Sequence, residues 1–221
     1  RCLADLPRRW SVGGLADALP EGPVLNVKVA PSSLAQTEFV HWCKSDPYYA
    51  EKPPYENLVV PFREFARVRE SCGRGQTGRY YLQMPILQGT TSGDVLSLPS
   101  PGSSLLASAA PLREDLAGLL GGIVEPLQRR GHLGRFEAIS LWVSGAGSLS
   151  RCHYDDSANL LVQCEGHKRV LLFPPELSAA LAPYPLAHPL DRRTRIELEQ
   201  PDYAAFPRAV ELRGRGLEVL L

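Results

Sequence analysis

This 221-residue sequence has no net charge, no closely spaced pair of cysteines and no long apolar run. Its 24 Lys and Arg residues balance 24 Asp and Glu residues, so overall charge favours neither nucleic acid nor an anionic membrane. The five cysteines, at positions 2, 43, 72, 152 and 164, form no Cys-x-x-Cys pair. This pattern disfavours a disulfide framework or zinc site and favours a reducing compartment, either cytoplasmic or nuclear. No apolar run approaches the roughly 18 residues that a membrane span needs.

The composition is typical of a soluble globular protein of one domain with appendages. Apolar residues make up 44% of the chain and charged residues 22%. The sequence begins with Arg1 rather than Met and ends in Gly216-Leu-Glu-Val-Leu-Leu221, which resembles the start of a strand. We therefore expect both ends to be cut from a longer chain.

Apolar periodicity predicts a β-rich core with flanking helices. It favours strands at residues 25–30, 57–61, 80–84, 137–143, 153–163 and 168–173, with another from residue 217. Helical spacing predicts helices at 11–19, where Ser11 is the candidate N-cap, after Pro61, and at 116–127. Gly166 favours a hairpin between the strands at 153–163 and 168–173.

This succession of short strands and tight turns predicts a mainly β fold, an antiparallel double-stranded β-helix of the jelly-roll or cupin type. We expect residues 1–112 to form an N-terminal region of helices and strands. It contains a surface loop rich in Gly, Ser and Pro at 88–111. Residues 113–221 are expected to form the jelly-roll core, incomplete at its C-terminus.

One motif points to a specific chemistry: His153-Tyr-Asp155. Residues i and i+2 of a strand share a face, so His153 and Asp155 can offer an imidazole and a carboxylate to one ion. Together with a remote His, such a pair forms the facial triad of non-haem Fe(II) oxygenases. Spacing alone leaves a second interpretation open, in which the two side chains form a hydrogen-bonded surface pair.

Three neighbouring residues suit a dicarboxylate ligand beside such a metal. Asn159 shares the parity of His153 if the strand continues, and Ser150 adds a hydroxyl just before the motif. Lys168 begins the predicted partner strand, where an ammonium inside a barrel is costly unless an anion meets it. One carboxylate of the ligand would chelate the metal and the other would pair with Lys168. The alternative is that Lys168 is a solvated charge at a strand edge.

From Gln128 onward the chain resembles the JmjC-type 2-oxoglutarate oxygenases, and most closely the asparaginyl hydroxylases that modify hypoxia-inducible factor. The resemblance lies in residues 128–131, 153–175, 183–192 and 200–207, with a weaker match at 80–83. It implies an enzyme that uses Fe(II), 2-oxoglutarate and O2 to hydroxylate a protein substrate and releases succinate and CO2.

The resemblance assigns two of the three iron ligands, His153 and Asp155. The family's third ligand is a His on a strand that would follow Leu221. The other His residues, at 41, 132, 167 and 188, are predicted to lie in loops or turns and not to bind the metal. We therefore expect this polypeptide by itself to be inactive or weakly active. The family's dimerisation helices would also lie further on, so the full-length parent is expected to be a homodimer.

The same resemblance assigns the ligands of 2-oxoglutarate. Lys168, Ser150 and Tyr81 would hold its distal carboxylate, with Ser150 standing where the family has Thr. Asn159 would lie beside the end that chelates the iron.

Gln83 and Arg192 match positions that grip the substrate peptide. Ser157 and Arg193 replace two substrate-contacting Gln residues of the family, and Leu161 replaces an aromatic residue. Peptide specificity is therefore less well defined than the metal and cosubstrate sites.

Two alternatives to a protein hydroxylase remain. Parts of residues 159–173 also resemble the JmjC hydroxylase that acts on a tRNA base, although the absence of a basic stripe counts against nucleic acid. The chain could also be a non-catalytic, cupin-like binding module.

Overall fold

The computed structural model describes residues 6–19, 24–30, 37–38, 55–73, 79–88, 110–186, 188 and 190–221. Most of the loop predicted at 88–111 lies outside these residues, as does His41. Within the described part, the chain forms two compact units. The first takes in the chain up to Ser148 together with Ser157–Glu165, and the second takes in Leu149–Asp156 and Gly166–Leu221. The predicted boundary at 112/113 stays a prediction.

Short strands and helices alternate along the chain. The helices are α1 (Leu6–Arg9), α2 (Val12–Ala18), α3 (Phe62–Gly73), α4 (Ala110–Leu119) and α5 (Glu125–Arg129). A π-helical turn, Leu120–Val124, joins α4 to α5, and 3-10 turns lie at Pro175–Leu177 and Pro207–Leu212. The strands are β1 (Val24–Ala30), β2 (Thr37–Glu38), β3 (Glu56–Pro61), β4 (Arg79–Gln88), β5 (Ala138–Ser144), β6 (Ser148–Leu149), β7 (Arg169–Leu172) and β8 (Leu217–Leu220).

The first unit is built on a four-stranded antiparallel sheet in the order β3-β1-β4-β5. Along β4, Tyr80, Leu82, Met84 and Ile86 are buried, and the residues between them face the other side. This alternation follows from the two-residue repeat of a strand. The buried face packs against α2, α3 and α4 through a core of Trp10, Val12, Leu15, Leu19, Val27, Phe62, Phe65, Leu112 and Leu116.

Side-chain hydrogen bonds hold α2 and α4 in place, and the first of them was predicted. Ser11 caps α2 as predicted, because its hydroxyl accepts a hydrogen bond from the Gly14 N–H at 3.0 Å. The predicted amphipathic helix at 116–127 is present, but its middle widens into the π-helical turn at Gly121 and Gly122. Asp115 on α4 accepts hydrogen bonds from the Arg9 guanidinium and from Trp10 Nε1, which ties the N-terminal residues to this helix.

The second unit has a small core of its own. Strands β7 and β8 pair antiparallel, with Arg169 opposite Leu220 and Leu172 opposite Leu217. The strands predicted at 168–173 and from residue 217 are therefore confirmed. Nearby apolar residues form the core cluster Leu177, Ala180, Ile196, Ala209 and Leu212.

The hairpin predicted around Gly166 is wrong. Residues 159–163 are not a strand, and β7 pairs with β8 instead. Gly166 does make a turn, with a φ of 72°. The preceding segment is held in the first unit because Cys164 packs on the core and Glu165 accepts a hydrogen bond from the Val12 N–H at 2.8 Å. Apolar runs alone could not distinguish this docked segment from a strand.

Antiparallel strands with flanking helices agree with the predicted fold class.

Among the residues that the structure describes, no helix combines the length and apolar character needed to cross a membrane.

Candidate functional site

The His153-Tyr-Asp155 motif lies in an irregular segment of the second unit. The strand predicted through it is wrong, since His153 makes one isolated antiparallel bridge, to Arg193. The carbonyl of Cys152 accepts a hydrogen bond from the Thr194 N–H at 2.8 Å. The two side chains are therefore brought together by a local bend of the chain, not by the alternation of a strand.

His153 and Asp155 bring an imidazole nitrogen and a carboxylate oxygen close together. His153 Nε2 and Asp155 Oδ1 are 3.7 Å apart, which is too long for a hydrogen bond. Metal bonds to such nitrogen and oxygen atoms are about 2.0–2.2 Å, so a single ion can bind both at this separation. The two side chains are about half exposed, at 40% and 51%.

A backbone contact orients the His153 ring. His153 Nδ1 lies 2.7 Å from the carbonyl oxygen of Arg151. A proton on Nδ1 donated to that carbonyl leaves Nε2 as the unprotonated nitrogen, on the side of Asp155. This is the arrangement by which metal-binding histidines are commonly oriented.

The part of the chain described by the structure supplies no third ligand. It holds no group of three or more His, Cys, Asp and Glu residues that could bind a metal ion. His132 and His167 are exposed. His188 stacks on Tyr184 at 4.2 Å and accepts a hydrogen bond from the Leu190 N–H through Nδ1.

Arg192, predicted to grip the substrate, pairs with two carboxylates in the structure. Its Nη1 lies 2.5 Å from Asp156 Oδ2 and its Nε lies 3.0 Å from Asp191 Oδ2. Desolvation lowers the pKa of Arg192, but Asp156 and Asp191 raise it by more. The pKa of Arg192 therefore lies above its ordinary value, and the guanidinium stays charged.

Burial raises the pKa of the Cys152 thiol, beside His153.

Ser150 and Lys168 belong to the same unit as the motif, and both are exposed. Lys168 directly precedes β7, and its backbone exchanges two hydrogen bonds with Leu221, at 3.1 and 2.9 Å. The predicted burial of the Lys168 ammonium inside a barrel is wrong for this structure. Its selection as an anion ligand therefore depends on the resemblance and not on burial.

Tyr81 and Gln83 lie on the face of the β4 sheet away from the first unit's core. Tyr81 is opposite Lys28 on β1, and Gln83 is opposite Trp142 on β5. The rings of Tyr81 and Trp142 meet edge to face at 6.0 Å, and Lys28 Nζ lies 5.7 Å from the Tyr81 ring centroid. This open face carries a cation, a phenol, an amide and an indole.

Asn159 and its neighbours are also in the first unit. Asn159 is exposed in the irregular segment Ser157–Glu165, so the parity argument that placed it with His153 is wrong. Ser157 donates a hydrogen bond to Glu137 at 2.8 Å, and Leu161 is about half exposed.

Four residues of these surroundings were not predicted: Lys28, Trp142, Asp156 and Thr194. Lys28 and Trp142 could have been found only from the order of the strands, because register places them opposite Tyr81 and Gln83. Asp156 and Thr194 could have been found only from contacts between distant segments of the chain.

Comparison with known proteins assigns the chain to a family. A family model described as a cupin-like domain matches residues 37–221. Lysine-specific demethylase JMJ31 of Arabidopsis thaliana is 33% identical over 84 residues, which cover 38% of this chain and 15% of that protein. Lysine-specific demethylase 8 of Danio rerio is 33% identical over 69 residues, covering 31% and 17%. HSPB1-associated protein 1 of Rattus norvegicus is 35% identical over 78 residues, covering 34% and 16%.

Each match thus covers under a fifth of the relative's length. The names of the two demethylases support the predicted JmjC type, without indicating the asparaginyl hydroxylases within it. The family model spans most of the chain, and the mainly antiparallel strands agree with a jelly-roll fold. The chain therefore belongs to the cupin-like domain family.

Proposed function

We propose that this chain carries the Fe(II)- and 2-oxoglutarate-binding part of a JmjC-type oxygenase that hydroxylates a protein side chain. The observation that supports this most directly is the pair of donor atoms, His153 Nε2 and Asp155 Oδ1, 3.7 Å apart within a cupin-like domain. An imidazole and a carboxylate are the donor types of the non-haem iron triad. When bound, Fe(II) with 2-oxoglutarate supplies the O2-dependent oxidation that the side chains cannot perform.

The chain's own residues hold and orient the reactants. Arg151 fixes the His153 ring through its carbonyl, so that Nε2 remains available to the metal. Asp155 adds an anionic oxygen, the carboxylate donor of the two-His-one-carboxylate triad.

The cosubstrate requires a cation and hydroxyl donors for its distal carboxylate. We assign this role to Lys168 and Ser150 of the second unit, and to Tyr81 on the basis of the resemblance. Asn159 is assigned to the chelating end on the same basis. A Lys ammonium is a compact point charge, well suited to a flexible carboxylate.

The substrate class that we propose is a protein side chain. The relatives named lysine-specific demethylases support a protein substrate, and the resemblance to asparaginyl hydroxylases supports an Asn-containing, ankyrin-type peptide. Gln83 and Trp142 on the open sheet face are the types of residue that bind extended peptides, through an amide and an apolar ring.

Binding of 2-oxoglutarate provides the test. Isothermal titration of 2-oxoglutarate into the Mn(II)-loaded chain should show binding that His153→Ala abolishes and Lys168→Met weakens by roughly tenfold. Arg208→Asn, which removes an exposed guanidinium paired with Glu211 in the same unit, is the matched control and should bind normally. Equal binding by wild type, His153→Ala and Lys168→Met would overturn the proposal.

Succinate formation then identifies the substrate class. An ankyrin peptide containing Asn, a methyl-lysine peptide and tRNA are compared at equal concentration in the presence of Fe(II), 2-oxoglutarate and O2. Stimulation by either peptide supports a protein oxygenase and indicates which side chain it modifies. Stimulation by tRNA alone would show that the substrate class is wrong.

A non-catalytic binding module is the second candidate. It is favoured by the finding that only two metal donors come together in the described part of the chain. Binding of 2-oxoglutarate that does not depend on His153 would indicate this module rather than the oxygenase.

A further inference from the structure

We infer that Arg192 is a positioning residue that holds the His153–Asp155 pair in place, and that it does not grip the substrate. This role presupposes the proposed function, since it concerns how the metal-binding pair is held. The residues responsible form a segment at 190–196, which we call the brace. It contacts the motif at two points, one on either side of the metal-binding pair.

The first point is a backbone contact just before the pair. Thr194 donates its N–H to the carbonyl of Cys152 at 2.8 Å, and Arg193 bridges His153 in antiparallel fashion. These contacts fix the backbone from which the His153 ring extends. The Arg151 carbonyl therefore orients the His153 ring relative to a backbone that is already held in place.

The second point is a charged contact just after the pair. Arg192 Nη1 donates to Asp156 Oδ2 at 2.5 Å, and Asp156 directly follows Asp155. Exposed ion pairs contribute little to stability. The pair instead limits the movement of Asp155, because the adjacent Asp156 is tied to the Arg192 guanidinium. The Arg192 side chain is only 30% exposed.

The brace is held rigidly enough to act as an anchor. Thr194 is 2% exposed, and its hydroxyl donates to the Leu181 carbonyl at 2.5 Å while accepting the Ile196 N–H at 3.0 Å. The Tyr184 N–H donates to the Arg193 carbonyl at 2.8 Å, and the Tyr184 carbonyl accepts the Arg192 N–H at 3.2 Å. The bonds to Leu181 and Tyr184 connect the brace to the rest of the second unit.

Arg192 adopts a backbone conformation that few residues other than glycine take. Its φ is 63°, in the left-handed region. Such a conformation persists only where the surroundings impose it. With its backbone held by Tyr184 and its side chain by Asp156 and Asp191, Arg192 is already engaged within its own unit.

A purely electrostatic role makes the opposite prediction for one variant. If Arg192 acted only as a charge, its removal would strengthen the binding of a cation, and removal of the Asp156 charge would weaken it. A positioning role predicts that both changes weaken metal binding. It also predicts that the double variant is no worse than either single variant, since each breaks the same contact.

The test compares Arg192→Asn, Asp156→Asn and their double variant with the full wild-type chain. Asn tolerates positive φ, so Arg192→Asn removes the guanidinium without straining the backbone. We expect amide hydrogen exchange at residues 152–156 to accelerate in all three variants, and Mn(II) affinity to fall by about tenfold in each. Arg208→Asn is again the matched control and should change neither measurement.

Other results would contradict the inference. Unchanged exchange and Mn(II) affinity in the three variants, or opposite shifts for Arg192→Asn and Asp156→Asn, would show that Arg192 does not position the pair. Equal Mn(II) binding by wild type and His153→Ala would instead contradict the proposed function. Hydrogen exchange without metal would still test the brace in that case.

Discussion

The two units hold their candidate functional residues by different means. In the first unit, the alternation of β4 buries Tyr80 and Leu82 and turns Tyr81 and Gln83 to the open face. Tyr81 pairs with both β1 and β5, and Gln83 pairs with β5, so ladders of backbone hydrogen bonds support both positions. In the second unit, the His153 motif has one isolated bridge and a few contacts with the brace. Backbone pairing keeps β4 in place when one side chain is removed. The position of the His153 motif depends instead on individual side-chain contacts with the brace.

The largest effect is expected in the core beneath the sheet. Phe65 is fully buried and meets Phe62 and Tyr80 edge to face at 5.8 and 5.6 Å. Phe65→Ala should cost about 3–5 kcal/mol of unfolding free energy, through lost burial and a residual cavity. The loss of unfolding free energy is measured by urea unfolding followed by fluorescence. Val59→Ala, at a position that is 70% exposed in the same unit, should change little. Similar costs for the two variants would mean that the core is wrongly placed.

A smaller effect is expected for the hydroxyl that holds the brace. Thr194→Val keeps the side-chain shape but leaves the Leu181 carbonyl and the Ile196 N–H without their present partner. We expect a loss of about 1–3 kcal/mol, measured by urea unfolding. Thr194→Ser, which retains the hydroxyl, should recover most of it. If Val is tolerated as well as Ser, the second unit does not depend on this contact.

Glu165 tests whether the first unit also depends on a contact between distant residues. It accepts the Val12 N–H at 2.8 Å and pairs with the Arg69 guanidinium. Because the carboxylate is partly exposed, Glu165→Gln should cost about 1 kcal/mol in urea unfolding. Glu64→Gln, which breaks an exposed pair with Arg67 on α3, should cost less. A larger loss at Glu64 than at Glu165 would contradict this ranking.

The smallest effect is a pH dependence at the β7–β8 pair. Hydrogen bonding from Arg169 lowers the pKa of Glu218 from its ordinary value of 4.5. A lowered pKa in the folded state means that the contribution to stability is fully present above pH 4.5 and is lost as the pH falls through the lowered value. Melting temperature measured from pH 6 to pH 3 should therefore fall less steeply for Glu218→Gln than for wild type. Identical pH profiles would show that the pair is not formed in solution.

The sequence predicted the elements of the first unit better than their arrangement. Alternation at 80–84 and the helical spacing after Pro61 correspond to β4 and α3 because each pattern reflects one buried face. The order β3-β1-β4-β5 could not be predicted, because it depends on pairing between distant segments. The same limit explains the hairpin error, since the competing partner of β7 was the remote strand β8.

The candidate site was predictable in its chemistry but not in its supports. A His and an Asp two residues apart identify donor atoms whatever their backbone conformation, so the motif was found although its strand was not. Asp156 and Thr194 were missed because their roles arise from contacts with residues 13, 36 and 42 positions away along the chain. Ordinary charged and hydroxyl residues give no local signal for such contacts.

Site-resolved metal binding tests the central claim, that His153 and Asp155 bind one divalent ion, most directly. Mn(II) is titrated into the isotopically labelled chain, and its paramagnetic broadening of amide signals is mapped by NMR. We predict broadening concentrated at residues 152–156 that disappears in both His153→Ala and Asp155→Ala. Broadening spread over the acidic surface, or unchanged in these variants, would contradict the assignment.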